Sequence, residues 1–159
     1  MGTSYEHPNP ASIADLFEII FGENVGVSDG AAAADITDQH TATFLDPNDN
    51  LVAACTCDSA FVTYSGAALS MIPAEVANEM IEDGEITDEV KANFFEVMNI
   101  CSKLLMSDAS AHLRLEKVIA PGQLGDTLSA FEESGTALEF TVDIPRYGRG
   151  SLSFLINQP

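Results

Sequence analysis

Residues 138–156 read LEFTVDIPRYGRGSLSFLI, and this stretch decides the predicted fold. Apolar and polar side chains alternate before and after its centre; the apolar ones are Leu138, Phe140, Val142 and Ile144, then Leu152, Phe154 and Ile156. A period of two places alternate side chains on the same face of a strand. The stretch therefore predicts an antiparallel hairpin with one buried face, in which residues 146–150 form the turn.

Four more strands are predicted upstream of this hairpin. Residues 41–45 and 51–57 are rich in β-branched and apolar residues, and the run DPNDN at 46–50 between them has turn chemistry. Residues 113–119 predict another strand, and a short one is expected around residues 25–27, before a turn at 28–30. Together with the hairpin, these segments indicate a largely antiparallel sheet.

Helical periodicity marks three segments: 11–21, 74–81 and about 87–106. Ser12 is the predicted cap of the first helix and Gly22 its end, Pro73 opens the second, and Thr87 caps the third. Residues 60–72 fit a helix or a strand equally well. The fold class that these elements predict is α+β, with helices packed on a largely antiparallel sheet.

The chain of 159 residues and 16.9 kDa has the size of one domain. Hydrophobic residues make up 46 %, enough for a sizeable core. Residues 1–10, which include Pro8 and Pro10, are expected to form a flexible lead, and residues 11–159 a single domain.

Acidic residues outnumber basic ones by 25 to 6, so the formal net charge is −19. Residues 1–100 carry −17 of this charge, and Lys91 is their only base. This balance argues against nonspecific binding to nucleic acid or to anionic membranes, which requires clustered Lys and Arg. It suits a partner with a basic or cation-bearing surface, although adaptation to the host would produce the same acidity.

Standard catalytic and metal-binding motifs are absent from the sequence. Three cysteines do not make a disulfide framework and have no nearby histidine, so no metal site is expected. The three scattered histidines, His7, His40 and His112, are predicted to be surface or capping residues. Without an apolar run of about 18 residues or a signal peptide, the chain is predicted to be cytoplasmic and unanchored.

The longest predicted helix is amphipathic and carries a polar stripe. Five of its residues fall within a sector of roughly 120°: Glu89, Asn93, Glu96, Asn99 and Lys103. Ile100 interrupts the stripe, which is unusual for a face that is only solvated. The stripe contains one E-x-x-N pair, and Glu75 and Asn78 on the preceding helix form a second, so spacing alone does not choose between them.

Sequence context favours the first pair through a family resemblance. The segments IPAEVA at 72–77, EDGE at 82–85, DEV at 88–90 and FEVMNI at 95–100 resemble the CheC/CheX chemotaxis phosphatase family. KVIAPG at 117–122, followed by the hairpin, extends the resemblance, which covers about residues 13–156 and fits CheX-like members best. In this alignment Glu96 and Asn99 match the family's catalytic pair, whereas Glu75 and Asn78 fall on a helix without a site and are taken as surface residues.

The resemblance implies a CheX-like phosphatase, a hydrolase that acts on a response regulator in two-component signalling. Such proteins dock on a phosphorylated receiver domain such as CheY. Asn99 would orient a water molecule in line with the aspartyl phosphate, and Glu96 would pair with the receiver's lysine. Asn93 and Lys103 are expected to contact the partner. Mg²⁺ is expected on the receiver, so the chain needs no metal or cofactor of its own.

Two departures from the family pattern keep other functions open. Family members have a Gly-rich stretch soon after the Asn, where this chain has Ile100-Cys101-Ser102-Lys103. Lys103, four residues after Asn99, is also positioned to hold that amide away from a partner. The alternative is therefore a noncatalytic receiver-binding or scaffold module of a chemotaxis, motility or two-component system, and the third hypothesis is an acidic α+β domain with an unrelated ligand. Dimerisation through a sheet edge is expected by analogy.

Overall fold

The computed structural model describes residues 5–22, 24–30, 39–129, 131 and 135–157. The α-helices in these ranges are α1 (Pro10–Phe21), α2 (Ser59–Leu69), α3 (Ala74–Asp83) and α4 (Asp88–Cys101), and a 3₁₀ turn (Ser102–Leu104) continues α4. The strands are β1 (Gly26–Asp29), β2 (His40–Leu45), β3 (Leu51–Cys57), β4 (Arg114–Ile119), β5 (Gly135–Ile144) and β6 (Gly148–Asn157). None of these helices combines the length and apolar character that a membrane crossing requires.

The strands form one sheet in the order β1-β5-β6-β3-β2-β4, and every neighbouring pair is antiparallel. The predicted hairpin is present as β5 and β6, paired from Gly135 opposite Asn157 to Ile144 opposite Gly148. The turn lies at residues 145–147, closed by the amide of Tyr147 donating to the carbonyl oxygen of Ile144 at 3.0 Å. The turn predicted at 146–150 is wrong in its position, because residues 148–150 already pair with β5. The predicted α+β class, with helices on a largely antiparallel sheet, is confirmed.

The main core lies between the sheet and the helices, and Phe61 of α2 stands at its centre. Its ring lies 5.8 Å from that of Phe17 on α1 and 6.4 Å from that of Phe94 on α4, measured between centroids. All three rings are almost completely buried. Aromatic pairs at these separations stabilise beyond the area that they bury, so this cluster fixes the three helices relative to one another.

A second, smaller core covers the other face of the central strands. It consists of Ala54, Ile119, Leu124, Leu128 and Phe131. Because β2 and β3 are covered on both faces, nearly every side chain in them is buried. Their sequences are consequently near-continuous runs of apolar, Thr and Cys residues and lack the alternation of β5 and β6.

The helix termini agree with the sequence in part. The cap of α1 is Asn9, not the predicted Ser12, because the helix starts at Pro10; Ser12 completes the capping box three residues later. Thr87 caps α4 as predicted, its hydroxyl accepting from the amide of Val90 at 3.3 Å. However, α4 ends at Cys101 and tightens into the 3₁₀ turn, earlier than the predicted end at residue 106.

Two segments that the sequence left open or misplaced are now assigned. Residues 60–72, which fitted a helix or a strand, contain α2, capped by the Asp58 carboxylate accepting from the amide of Phe61 at 2.8 Å. The turn predicted at 28–30 is wrong, because Ser28 and Asp29 belong to β1 and pair with β5. Of the predicted lead, residues 1–4 lie outside the described residues, and the amide of Glu6 donates to the carbonyl oxygen of Leu105 at 2.8 Å.

Candidate functional site

Helix α4 carries the polar stripe, and its position is determined by a close contact with α2. Gly66 of α2 lies against Val90 of α4, where an added Cβ would stand 2.5 Å from the carbonyl oxygen of Val90. On its sheet side, α2 contacts Gly150 of β6 equally closely, since a Cβ there would lie 2.5 Å from Cα of Phe61. Glycine at both contacts lets α2 approach the sheet and α4 at backbone distance.

Asn93 links the two helices by hydrogen bonds. Its side-chain amide donates to the carbonyl oxygen of Gly66 at 2.9 Å and to the hydroxyl of Ser70 at 2.6 Å. The residue is half-buried and faces α2. This role in the fold was not predicted from the sequence, and a contact of Asn93 with a partner stays a prediction.

Glu96 and Asn99 lie one turn apart on α4, and both are exposed. Neither side chain makes a hydrogen bond with the part of the chain that the structure describes. The main chain at Asn99 is held instead, because the hydroxyl of Ser102 donates to the carbonyl oxygen of Asn99 at 2.7 Å. The main chain of the pair is therefore held in place, and its two polar side chains make no hydrogen bond within the described residues.

Lys103 lies on the 3₁₀ turn just beyond this pair and is exposed. Among the described residues it forms no salt bridge and no hydrogen bond with the amide of Asn99. The amide is therefore not held by Lys103 in this structure. The predicted contact of Lys103 with a partner remains a prediction.

Two apolar side chains accompany the polar pair. Phe95, next to Glu96, is 41 % exposed, a large fraction for an aromatic residue in the middle of a helix. Ile100 follows Asn99 and is half-buried. The exposed surface of α4 therefore combines a carboxylate, an amide and an aromatic ring. The sequence analysis missed Phe95; the signal was a second phenylalanine directly after Phe94, which the helical period turns away from the core.

The second E-x-x-N pair, on α3, has a different environment. Glu75 and Asn78 are both exposed, as expected for surface residues. However, the side-chain oxygen of Asn78 accepts a hydrogen bond from the hydroxyl of Tyr64 at 2.7 Å. Asn78 is engaged within the protein, whereas Asn99 is not.

The three cysteines lie in the core as free thiols. Cys55 and Cys57 share one face of β3, as predicted, with their sulfur atoms 3.8 Å apart. Burial raises the pKa of the Cys57 and Cys101 thiols well above its ordinary value, so both are protonated at neutral pH. No group of three or more residues able to hold a metal ion occurs in the described ranges.

His40 contradicts the prediction that the histidines are surface or capping residues. It opens β2, is only 8 % exposed, and its ring meets that of Phe94 edge-on at 6.2 Å. Burial, and secondarily the positive charge of Lys91, lower the pKa of its imidazole. The prediction failed because His40 begins a strand that is covered on both faces, which the sequence pattern does not reveal.

Comparison with known proteins finds no matching family model and no matching curated protein. Among solved structures, the chain is similar to one from the FliM–SpeE complex of H. pylori, with 8 % identity, a TM-score of 0.64, and coverage of 93 % of this chain and 81 % of that one. The FliM middle domain of V. alginolyticus matches with 8 % identity, a TM-score of 0.54, and coverage of 93 % and 88 %. The CheX–CheY–BeF3 complex of Borrelia burgdorferi gives 11 % identity, a TM-score of 0.43, and coverage of 91 % and 92 %.

These similarities concern the fold. FliM belongs with CheC and CheX among proteins of one shared fold, so the fold that the sequence resemblance implied is confirmed. Sequence identity this low does not carry residue roles from those proteins to this one. The chain therefore has the CheC/CheX/FliM-like fold.

Proposed function

We propose that this protein docks on a phosphorylated receiver domain through α4 and hydrolyses its aspartyl phosphate. One observation carries the proposal: Glu96 and Asn99 lie exposed, one turn apart, and make no hydrogen bond within the described part of the chain. Because α4 is anchored to α2 by Asn93 and Gly66, both side chains extend from a backbone of fixed position. A preorganised pair of this kind suits the task of positioning groups of a partner.

The chemistry assigned to Asn99 is the orientation of water. The water oxygen attacks phosphorus in line with the bond to the aspartyl oxygen. That bond breaks with its electron pair passing to the aspartyl oxygen, so the receiver's carboxylate is regenerated and inorganic phosphate is released. The amide takes no proton, since it has no useful pKa, and the water's proton passes to the phosphate product. Positioning and charge stabilisation account for most of the catalysis in phosphoryl transfer. One well-placed amide is therefore the only catalytic group that this protein would have to contribute. Mg²⁺ on the receiver would neutralise the developing charge.

Glu96 is assigned the docking contact. Its exposed carboxylate would form a salt bridge with a lysine of the receiver and so set the depth at which Asn99 enters the partner's site. The charge of −17 in residues 1–100 extends this attraction over a wider surface. Electrostatic complementarity of this kind raises the association rate and weakens with added salt.

A noncatalytic receiver-binding or scaffold function is the second candidate, and Phe95 favours it. An exposed aromatic ring beside the polar pair is typical of residues that anchor protein interfaces. The FliM structure of similar fold is a complex with SpeE, an example of the fold binding another protein. In this case α4 would bind a receiver without accelerating loss of its phosphate.

Phosphate release from receivers tests both candidates. Each receiver of a host panel is charged with a small phosphodonor and Mg²⁺, and release is compared for buffer, the parent protein, Asn99→Ala and Asn78→Ala. The last is the matched control, since Asn78 ends the E-x-x-N pair of α3. We expect acceleration by the parent and by Asn78→Ala, and none by Asn99→Ala. Full activity of Asn99→Ala would overturn the catalytic role, and binding of the parent without acceleration would establish the scaffold function.

A further inference from the structure

A cleft of about 640 Å³ lies between α2, α3, α4 and the ends of β2 and β4. Its walls are mainly apolar and include Met80, Ile86, Phe94 and Val118. A volume of this size, with apolar walls and a few polar groups, is typical of sites for small organic ligands. The cleft is distinct from the Glu96/Asn99 pair, neither member of which lines it.

Two buried polar residues line this cleft and have polar atoms without a partner in the described part of the chain. His40 is more than nine-tenths buried, and Thr63 is completely buried. Neither Nδ1 of His40 nor Oγ1 of Thr63 has a hydrogen-bond partner among the described residues. Unpaired polar atoms in a protein interior cost free energy and are rare, so their occurrence in the wall of one cleft requires an explanation.

His40 lines the cleft, and its tautomer leaves one ring nitrogen able to donate a hydrogen bond. Orphaned N–H groups are rarer in protein interiors than under-satisfied acceptors, so the neutral ring is best assigned with bare Nδ1 and the proton on Nε2. Nε2 makes no hydrogen bond with the described residues and is absent from the fully buried unpaired atoms. It is therefore available to donate to a group inside the cleft.

Lys91 supplies a positive charge at the same cleft. It is the only base in residues 1–100, is exposed, and forms no salt bridge within the described ranges. Lys91 and His40 line the same cleft, and the positive charge of Lys91 is the secondary cause of the lowered pKa of the His40 imidazole. Its ammonium is therefore able to attract an anion that enters the cleft.

We propose that this cleft binds a small amphipathic carboxylate, whose carboxylate accepts from the ammonium of Lys91 and from Nε2 of His40 while its apolar body lies against Phe94 and the neighbouring walls. The exposed carboxylate of Glu85 also lines the cleft and disfavours a doubly charged anion, so a monocarboxylate fits better than a phosphate monoester. This binding site goes beyond the proposed receiver phosphatase and does not rest on it.

The test uses 4-phenylbutyrate as the probe and 4-phenylbutyramide as its uncharged counterpart. Binding is measured by titration calorimetry and located by amide chemical shifts in the full chain. The variants are Lys91→Met and, as matched control, Lys117→Met, which removes an exposed lysine outside the cleft. Both positions are exposed, and the urea midpoint of each variant verifies that it is folded.

We expect the parent and Lys117→Met to bind the carboxylate with a dissociation constant below about 1 mM. Lys91→Met should bind it about tenfold more weakly, as should the parent with the amide. Shifts should centre on Phe94, Phe95 and residues 84–86. Equal binding by Lys91→Met, equal binding of the amide, shifts centred elsewhere, or no binding by the parent would each overturn the proposal.

Discussion

Gly66 lies so close to Val90 that a single added carbon atom would stand 2.5 Å from the carbonyl oxygen of Val90 and 2.7 Å from its Cγ1. Most helices meet through interlocking side chains, but here the main chains of α2 and α4 are in near contact. The position of the α4 axis, and with it the position of Glu96 and Asn99, depends on the absence of a side chain at residue 66.

Gly66→Ala should therefore destabilise the protein by about 2–4 kcal/mol, because the methyl group meets backbone that cannot move aside easily. The free energy of unfolding from urea titration is the measurement. Gly26→Ala is the matched control, since its Cβ would make ordinary contact at 3.4 Å with Asp143, and it should change stability by less than about 0.5 kcal/mol. Equal effects of the two substitutions would refute the role assigned to Gly66.

Replacing Asn93 and Asn99 by alanine, one at a time, should have clearly different effects on the stability of the protein. Asn93→Ala removes two hydrogen bonds to α2 and should cost about 1–2 kcal/mol of unfolding free energy. Asn99→Ala removes an exposed amide without a bond in the described part of the chain, and should change that free energy by less than about 0.5 kcal/mol. If Asn99→Ala were the more destabilising change, Asn99 would be a structural residue and the proposed function would lose its basis.

Two buried threonines offer a test of unpaired hydroxyls. Thr63→Val replaces a hydroxyl that has no partner in the described ranges and should stabilise the protein by about 1 kcal/mol, because the desolvation cost disappears while the shape is kept.

Thr43→Val is the control for that substitution. The hydroxyl of Thr43 is buried and donates to Oε1 of Glu116 at 2.9 Å, so its loss should destabilise by about 1 kcal/mol. Chemical denaturation of both variants provides the comparison. Loss of stability in both would mean that the hydroxyl of Thr63 is paired in solution.

Stability should fall as the pH drops below about 6.5, through the titration of His40. Its imidazole pKa is lowered in the folded protein from the ordinary value of 6.5, by burial first and by Lys91 second. The unfolded chain therefore binds a proton at this imidazole more readily than the folded protein does. The contribution of the neutral imidazole to the free energy of unfolding is lost progressively as the pH falls from 6.5 to the lower folded pKa.

His40→Gln removes this titration, so its unfolding free energy should fall less than that of the parent between about pH 7 and pH 5. Urea titrations at both pH values give the comparison. A measurement near pH 8, where the His40 imidazole is neutral in both the folded and the unfolded parent protein, supplies the baseline. An unchanged difference between the parent and the variant at all three pH values would contradict the buried neutral imidazole.

Sequence patterns predicted the strands of the sheet better where one face of the sheet is exposed to water than where both faces are covered. The β5–β6 hairpin alternates because its outer face meets water, and the alternation predicted both strands, although the turn was placed at 146–150 and lies at 145–147. Residues 60–72 remained ambiguous because α2 is covered by the sheet on one side and α4 on the other, so its apolar residues do not follow a single stripe.

The candidate site was predictable in its exposed part. Helical periodicity placed Glu96 and Asn99 on a polar face, and both are exposed there. The same periodicity assigned Asn93 to that face, but its amide turns toward Gly66, a contact between helices that local spacing cannot show. His40 was misjudged for the same reason, since its burial depends on residues distant in the sequence.

The two hydrogen bonds of Asn93 also constrain how this protein can change over evolutionary time. They fix the rotation of α4 about its own axis, while Glu96 and Asn99 remain exposed to solvent. A one-residue insertion or deletion between Asn93 and Glu96 would turn the pair by about 100° around the helix. Point substitutions on the outer face can therefore change the partner that α4 binds. Insertions or deletions within α4 would instead move Glu96 and Asn99 away from the exposed face.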